Sequence, residues 1–101
     1  MIILVATITP IEGQMDAVEA VLRDLAPVVH QEDGCEMYAL HRGKDCLVLI
    51  EKWTDADALK VHSSAESVQT LGRILKGLVA GPPALQRLEA VPSGDAAKGT
   101  L

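Results

Sequence analysis

The chain has 101 residues, 49% of them hydrophobic and 23% charged, with a formal net charge of −5. That is the length of one domain with enough apolar material for a core, and it excludes a disordered polar chain. The nine Lys and Arg are scattered rather than gathered in a stripe, and Trp53 and Tyr38 are the only members of the Phe, Trp and Tyr set, so nucleic acid is not an expected partner.

Residues 1–6 form an apolar run that Thr7, Thr9 and Pro10 then interrupt. It falls far short of the ~20 residues that a transmembrane helix needs. No Lys or Arg precedes it, as one would in a secretory leader, so a cytoplasmic protein without a membrane partner is expected. Ile2 to Ile8 is rich in β-branched residues and reads as a buried strand closed by Pro10. Over residues 13–32 the apolar positions Met15, Val18, Val21, Leu22, Leu25, Val28 and Val29 recur in steps of three and four, which marks one face of a helix. Asp16, Glu19, Arg23 and Asp24 supply its wet face, Pro27 removes one late backbone hydrogen bond, and Gly34 stops it.

Residues 35–42 and 46–53 read as two strands joined by a turn around Gly43-Lys44-Asp45. Thr54 with Asp57 predicts a capping box and a short helix ending near His62; Ser63 with Glu66 predicts a second box and a longer helix through Val68, Leu71, Leu75 and Leu78. Gly81-Pro82-Pro83 ends that helix, residues 84–91 form a last, weaker strand, and residues 93–101 are expected to be a mobile or partner-wrapping tail after a domain spanning 1–92. Cys35 and Cys46 fit neither a CxxC nor a zinc spacing. As openers of the two strands they would sit at opposite ends of one hairpin, roughly 23 Å apart at ~3.3 Å per residue, too far for a disulfide. Both are expected to be small buried hydrophobes.

The order β-α-β-β-α-β is that of an α+β, ferredoxin-like fold, with helices on one face of the sheet. Yet both faces are apolar. Ile2, Leu4 and Ile8 of the first strand oppose Ile3 and Val5, and Val48 and Ile50 of the third oppose Leu47 and Leu49. A monomer would leave one apolar face wet, so a homodimer packed sheet against sheet is expected.

A first strand ending in a Pro-x-x-Gly turn, then Glu32-Asp33-Gly34-Cys35-x-x-Tyr38, then Glu51-x-Trp53-x-Asp55-x-x-Ala58-x-x-x-His62, resembles the antibiotic biosynthesis monooxygenase (ABM) family over residues 1 to about 92. The resemblance implies a dimeric α+β barrel, made when two four-stranded sheets face each other, and a cavity between sheet and helices in each subunit. Members include cofactor-independent quinol and polyketide monooxygenases, haem-degrading enzymes and isomerases. The haem-degrading members join an Asn of the first strand to the Trp and His, where this chain has Ala6-Thr7.

The residues of that pattern are the candidate site. Trp53 and Glu51 share a strand face, Trp53 being either packing beneath the short helix or a flat wall for an aromatic ligand. His62 falls on the inward side of the short helix with Ala58 and Leu59, as a core residue or as a general base. Glu51 sits in an apolar strand, either facing solvent near the strand end or turned inward; inward it would orient His62 or accept a substrate hydroxyl, and burial would raise its pKa. Tyr38 is a further lining residue if the hairpin register turns it to the side of Trp53, which one residue of slip would reverse. Met37 and His41 point away from Tyr38 in either register, and His30, His41 and His62 make no recognised metal spacing. No GxGxxG, P-loop or cysteine-ligand motif calls for a bound cofactor. The expected activity is a cofactor-independent monooxygenase oxidising a quinol-like or polycyclic phenol with O2. His62 would accept the proton, Glu51 orient it, and Trp53 and Tyr38 line the ring. The alternatives are a non-catalytic dimeric protein that binds a small apolar ligand, and an isomerase on the same fold.

Overall fold

A computed structural model describes residues 1–101. The elements are β1 (Ile2–Ile8), α1 (Met15–His30), β2 (Cys35–Arg42), β3 (Leu47–Trp53), α2 (Ala56–Ser63), α3 (Glu66–Leu75) and β4 (Ala84–Leu88). The strands form one antiparallel sheet in the order β2-β3-β1-β4, with the helices on one face: the ferredoxin-like α+β arrangement. No helix is long and apolar enough to cross a membrane.

The core lies between that face and α1. Val18, Leu22 and Val29 come from the inner stripe of the helix and are fully buried against Leu47, Leu49 and Trp53 of β3 and Ala6 and Ile8 of β1. Burying each such side chain contributes about 1.5–3 kcal/mol. Pro27 is accommodated inside α1, and the chain leaves the helix through Gln31 to Gly34, whose φ of +81° is glycine's territory. Arg42 donates to Asp16 and Glu19, both at 2.9 Å, tying the far end of β2 to α1.

The caps differ from expectation. Asp55, not Thr54, is the N-cap of α2, its side chain accepting from the Ala58 amide at 2.8 Å. The N-cap of α3 is Ala65, without a side-chain bond; Ser63 belongs to α2 and donates back to the Leu59 carbonyl. The helix ends at Leu75, and β4 at Leu88, shorter than the pattern suggested. Cys35 and Cys46 are free thiols and half-buried rather than buried.

On the outer face of the sheet Val5, Val48, Ile50, Met37 and Ala39 remain half-exposed. Residues 93–101 fold back toward it. Asp95 closes a turn by accepting from the amides of Ala97 and Lys98, and the Leu101 carbonyl accepts from Lys52 Nζ at 3.2 Å. Leu101 and Thr100 thereby face Ile3 and Leu88 across a shallow cleft.

Candidate functional site

Glu51 and Trp53 lie two residues apart on β3 and both point to the helix side, with 3% and 0% of their surface exposed. The Trp53 indole Nε1–H donates to Glu51 Oε1 at 3.0 Å, which gives the buried carboxyl group a partner it would otherwise lack. Burial pushes the Glu51 pKa up, against the indole hydrogen bond and His62, which pull it down.

The last turn of α2 delivers His62. Its ring stacks on the indole, centroids 4.4 Å apart and planes 29° from parallel. Its Nδ1 donates to the carboxylate of Glu32, 3.0 Å from Oε1 and 3.1 Å from Oε2. In a neutral ring that bond leaves Nε2, turned towards Glu51, as the acceptor nitrogen. Nε2 lies 3.9 Å from Glu51 Oε1, beyond hydrogen-bond distance. The carboxylate that holds the imidazole is therefore Glu32, just after α1 in the α1–β2 connection and 30 residues away in sequence. It was visible only as the first letter of the Glu-Asp-Gly-Cys string.

Tyr38 completes the cluster because of a β-bulge. Cys35 pairs with Trp53, but Met37 rather than Glu36 pairs with Lys52, so Tyr38 falls opposite Glu51. In an unbulged strand starting from the same Cys35–Trp53 pair, Tyr38 would have faced away. Its ring stands edge-on to His62, 5.8 Å between centroids, and its carbonyl accepts from His30 Nε2 at 3.0 Å. Burial first, then the carboxyl groups of Glu51 and Glu32, pushes the Tyr38 phenol up.

All four sequence-predicted residues, Tyr38, Glu51, Trp53 and His62, thus meet, with Glu32 as a fifth member. His30 is edge-on to the outer side of Tyr38, 6.4 Å between centroids, and His41 is exposed; no three His, Cys, Asp or Glu side chains converge as metal ligands. What docks α2 onto the cluster is Gly34. A Cβ there would lie 2.5 Å from that of Ala58, and its carbonyl accepts from the Thr54 amide at 2.9 Å. The cluster is closed. One cleft of about 510 Å³ runs along the outer edge of β2 past His30, Cys35 and Tyr38, and a cavity of about 450 Å³ lies between the end of β1 and α3. Neither is lined by Trp53 or His62.

The antibiotic biosynthesis monooxygenase profile matches residues 1–72, a span that contains every member of this cluster. The chain belongs to the antibiotic biosynthesis monooxygenase family. Among solved structures, the ABM-like fold recurs in PA3566 from Pseudomonas aeruginosa at 30% identity and a TM-score of 0.82, over 89% of this chain and 93% of that one. A Caulobacter crescentus protein, provisionally described as an antibiotic biosynthesis monooxygenase, is 32% identical over 89% of both chains, with a TM-score of 0.81. Rv0793 from Mycobacterium tuberculosis, at 23% identity, shares the fold over 93% of this chain and 98% of its own, with a TM-score of 0.82. No curated protein matches the sequence.

Proposed function

We propose that this ABM-family protein is a cofactor-independent monooxygenase that oxidises a quinol-like or polycyclic phenolic substrate with O2. The observation that carries the reading is the Glu32–His62 pair. A carboxylate on Nδ1–H orients the imidazole and stabilises the cation it becomes, so Nε2 is set up to take a proton. A deprotonated electron-rich phenol can pass electrons to O2 directly; one oxygen atom enters the product and the other leaves as water. The protein's tasks are then to hold the ring dry, remove the proton and stabilise the anion. Tyr38 stands opposite Glu51 in the β2–β3 pair with its ring edge-on to His62, and Glu51 is kept towards its neutral form by burial, so both are candidate hydrogen-bonding groups beside the imidazole.

The closure of the cluster sets the access requirement. The indole face that would hold a substrate ring is covered by His62, so α2 must lift from the sheet for a ring to enter. A second reading draws on the same closure. The cluster is then packed core, and the chain is a non-catalytic ligand-binding protein. Oxygen consumption by purified protein against hydroquinones and hydroxyanthraquinones separates the two. The monooxygenase reading expects uptake in wild type that falls at least about 100-fold in His62→Ala, the scale of general-base catalysis. Glu32→Gln should lower kcat by about tenfold or more through loss of orientation. No uptake by wild type across the panel overturns it.

The reading includes a homodimer packed through the outer sheet face, which supplies a cover for Val5, Val48 and Ile50. Sedimentation of wild type beside Ile50→Lys tests it: a dimer that the charge converts to monomer is the expected result, and a monomeric wild type sinks the proposal.

A further inference from the structure

The cavity at the far end of the helix layer has a construction of its own. Ile2 pairs with Trp53, whereas Ile8 lines the cavity, and at ~3.3 Å per residue the two lie roughly 20 Å apart. One wall is the end of β1, continued by a segment pinned to it: the Ile11 amide donates to the Leu78 carbonyl at 2.9 Å and the Ala80 amide to the Thr9 carbonyl at 2.8 Å. The other wall is α3. Its stripe Val68, Leu71, Gly72, Leu75 follows the i, i+3, i+4, i+7 spacing of a core-facing helix. At one of those four positions the side chain is missing.

Gly72 has no internal reason to be glycine. Its φ is not positive, and a Cβ built on it meets nothing within 4 Å. In a helix, glycine costs about 0.8–1 kcal/mol relative to alanine. A residue that weakens its own element without steric need is the local inconsistency expected where a site is being kept open. Gly72 is itself exposed and lines a half-open groove of about 450 Å³, within the size range of small-molecule sites, whose wall is apolar apart from Lys76. Lys76 caps α3 four residues after Gly72, is the only charged residue of the wall, and makes none of the ion pairs in this acidic chain.

We infer that the cavity between β1 and α3 is a binding site for a small amphiphile with one anionic head, its apolar body along the groove beside Gly72 and its carboxylate at Lys76. The site lies on the helix side of the sheet, so covering the outer face leaves it open. It is independent of proton transfer at His62.

The probe is decanoate, with decanol and decylammonium as the neutral and cationic controls, titrated into 15N-labelled full-length protein. The amides of Gly72, Gly77 and Gly81 report the cavity from a spectral region of their own. Decanoate is expected to shift them saturably, with decanol weaker and decylammonium weaker still. Gly72→Leu fills the cavity and should abolish the shifts while melting no lower than wild type, because nothing stands where its side chain begins. Lys76→Gln should weaken decanoate about fivefold, the scale of an ion pair at an exposed rim, and leave decanol unchanged. Absence of saturable decanoate shifts in wild type overturns the inference, as do shifts that persist in well-folded Gly72→Leu or equal affinity for the three probes. None of these readouts involves turnover, so they leave the monooxygenase reading to its own test.

Discussion

The two ends of the layer between sheet and helices are made from the same strands and differ in what fills them. At the Trp53 end the chain places its only indole, its only phenol, an imidazole and two carboxyl groups, and the result is closed, with Trp53 wholly buried. At the Ile8 end the helix stripe lacks a side chain at Gly72, and the result is hollow. Shape follows side-chain volume at a few positions, because protein interiors are otherwise packed to crystal-like density. The Trp53–His62 stack and the groove at the Ile8 end are therefore separated in this fold. The reactive end must open to admit a ligand, and the open end carries a single charge.

The strongest way to break the closed end is Trp53→Ala. It removes the largest buried side chain and strips Glu51 of its donor, so a loss of about 3–5 kcal/mol is expected, a large part of a domain's total stability. Thermal melting reads it as a fall of about 4 °C or more per kcal/mol in a chain of this size. If melting is unchanged, the indole is not the keystone of that end.

Gly34→Ala acts from below. It combines a positive φ with a 2.5 Å approach to Ala58, and about 2 kcal/mol is expected. The loss should be local: amide exchange in α2 speeds up while α1 stays protected, and His62 leaves the indole. Uniform loss of protection would mean that α2 and the core unfold as one unit.

Glu51→Gln sharpens the electrostatics. The folded-state pKa of Glu51 is raised above 4.5, its ordinary value, so below 4.5 the proton is held in both states and its contribution is most favourable. As pH rises the unfolded chain ionises first, and stability falls until the folded group has ionised as well. Glutamine accepts from the indole but does not titrate, so the stability of the variant relative to wild type should grow with pH across that window. A pH-independent difference would place Glu51 in contact with water.

The smallest effect is expected at the hollow end. Gly72→Ala should stabilise the protein by about 0.5–1 kcal/mol, measured by denaturant midpoint. Destabilisation there would show that the space is not free.

Local pattern sufficed for much of this. Period-two and period-3.6 hydrophobicity located every strand and helix, the apolar character of both sheet faces, and the shared strand face of Trp53 and Glu51, because these depend on neighbours a few residues away. Even so, the caps went astray: Thr54 and Asp55 are adjacent, both suit an N-cap, and only the backbone path into α2 chose Asp55. Tertiary structure alone decided three things. The bulge at Cys35–Met37 turned Tyr38 towards Glu51, and a bulge is one residue of slip that composition does not announce. Glu32 reached His62 across 30 residues because α1 sets its end beside α2. Gly72, a weak point in a helix when read along the chain, became the opening of a cavity when β1 and the segment after α3 closed around it. Sequence determines what each stretch can bury; which groups meet, and where space is left, is decided by distances between segments that only the folded chain brings together.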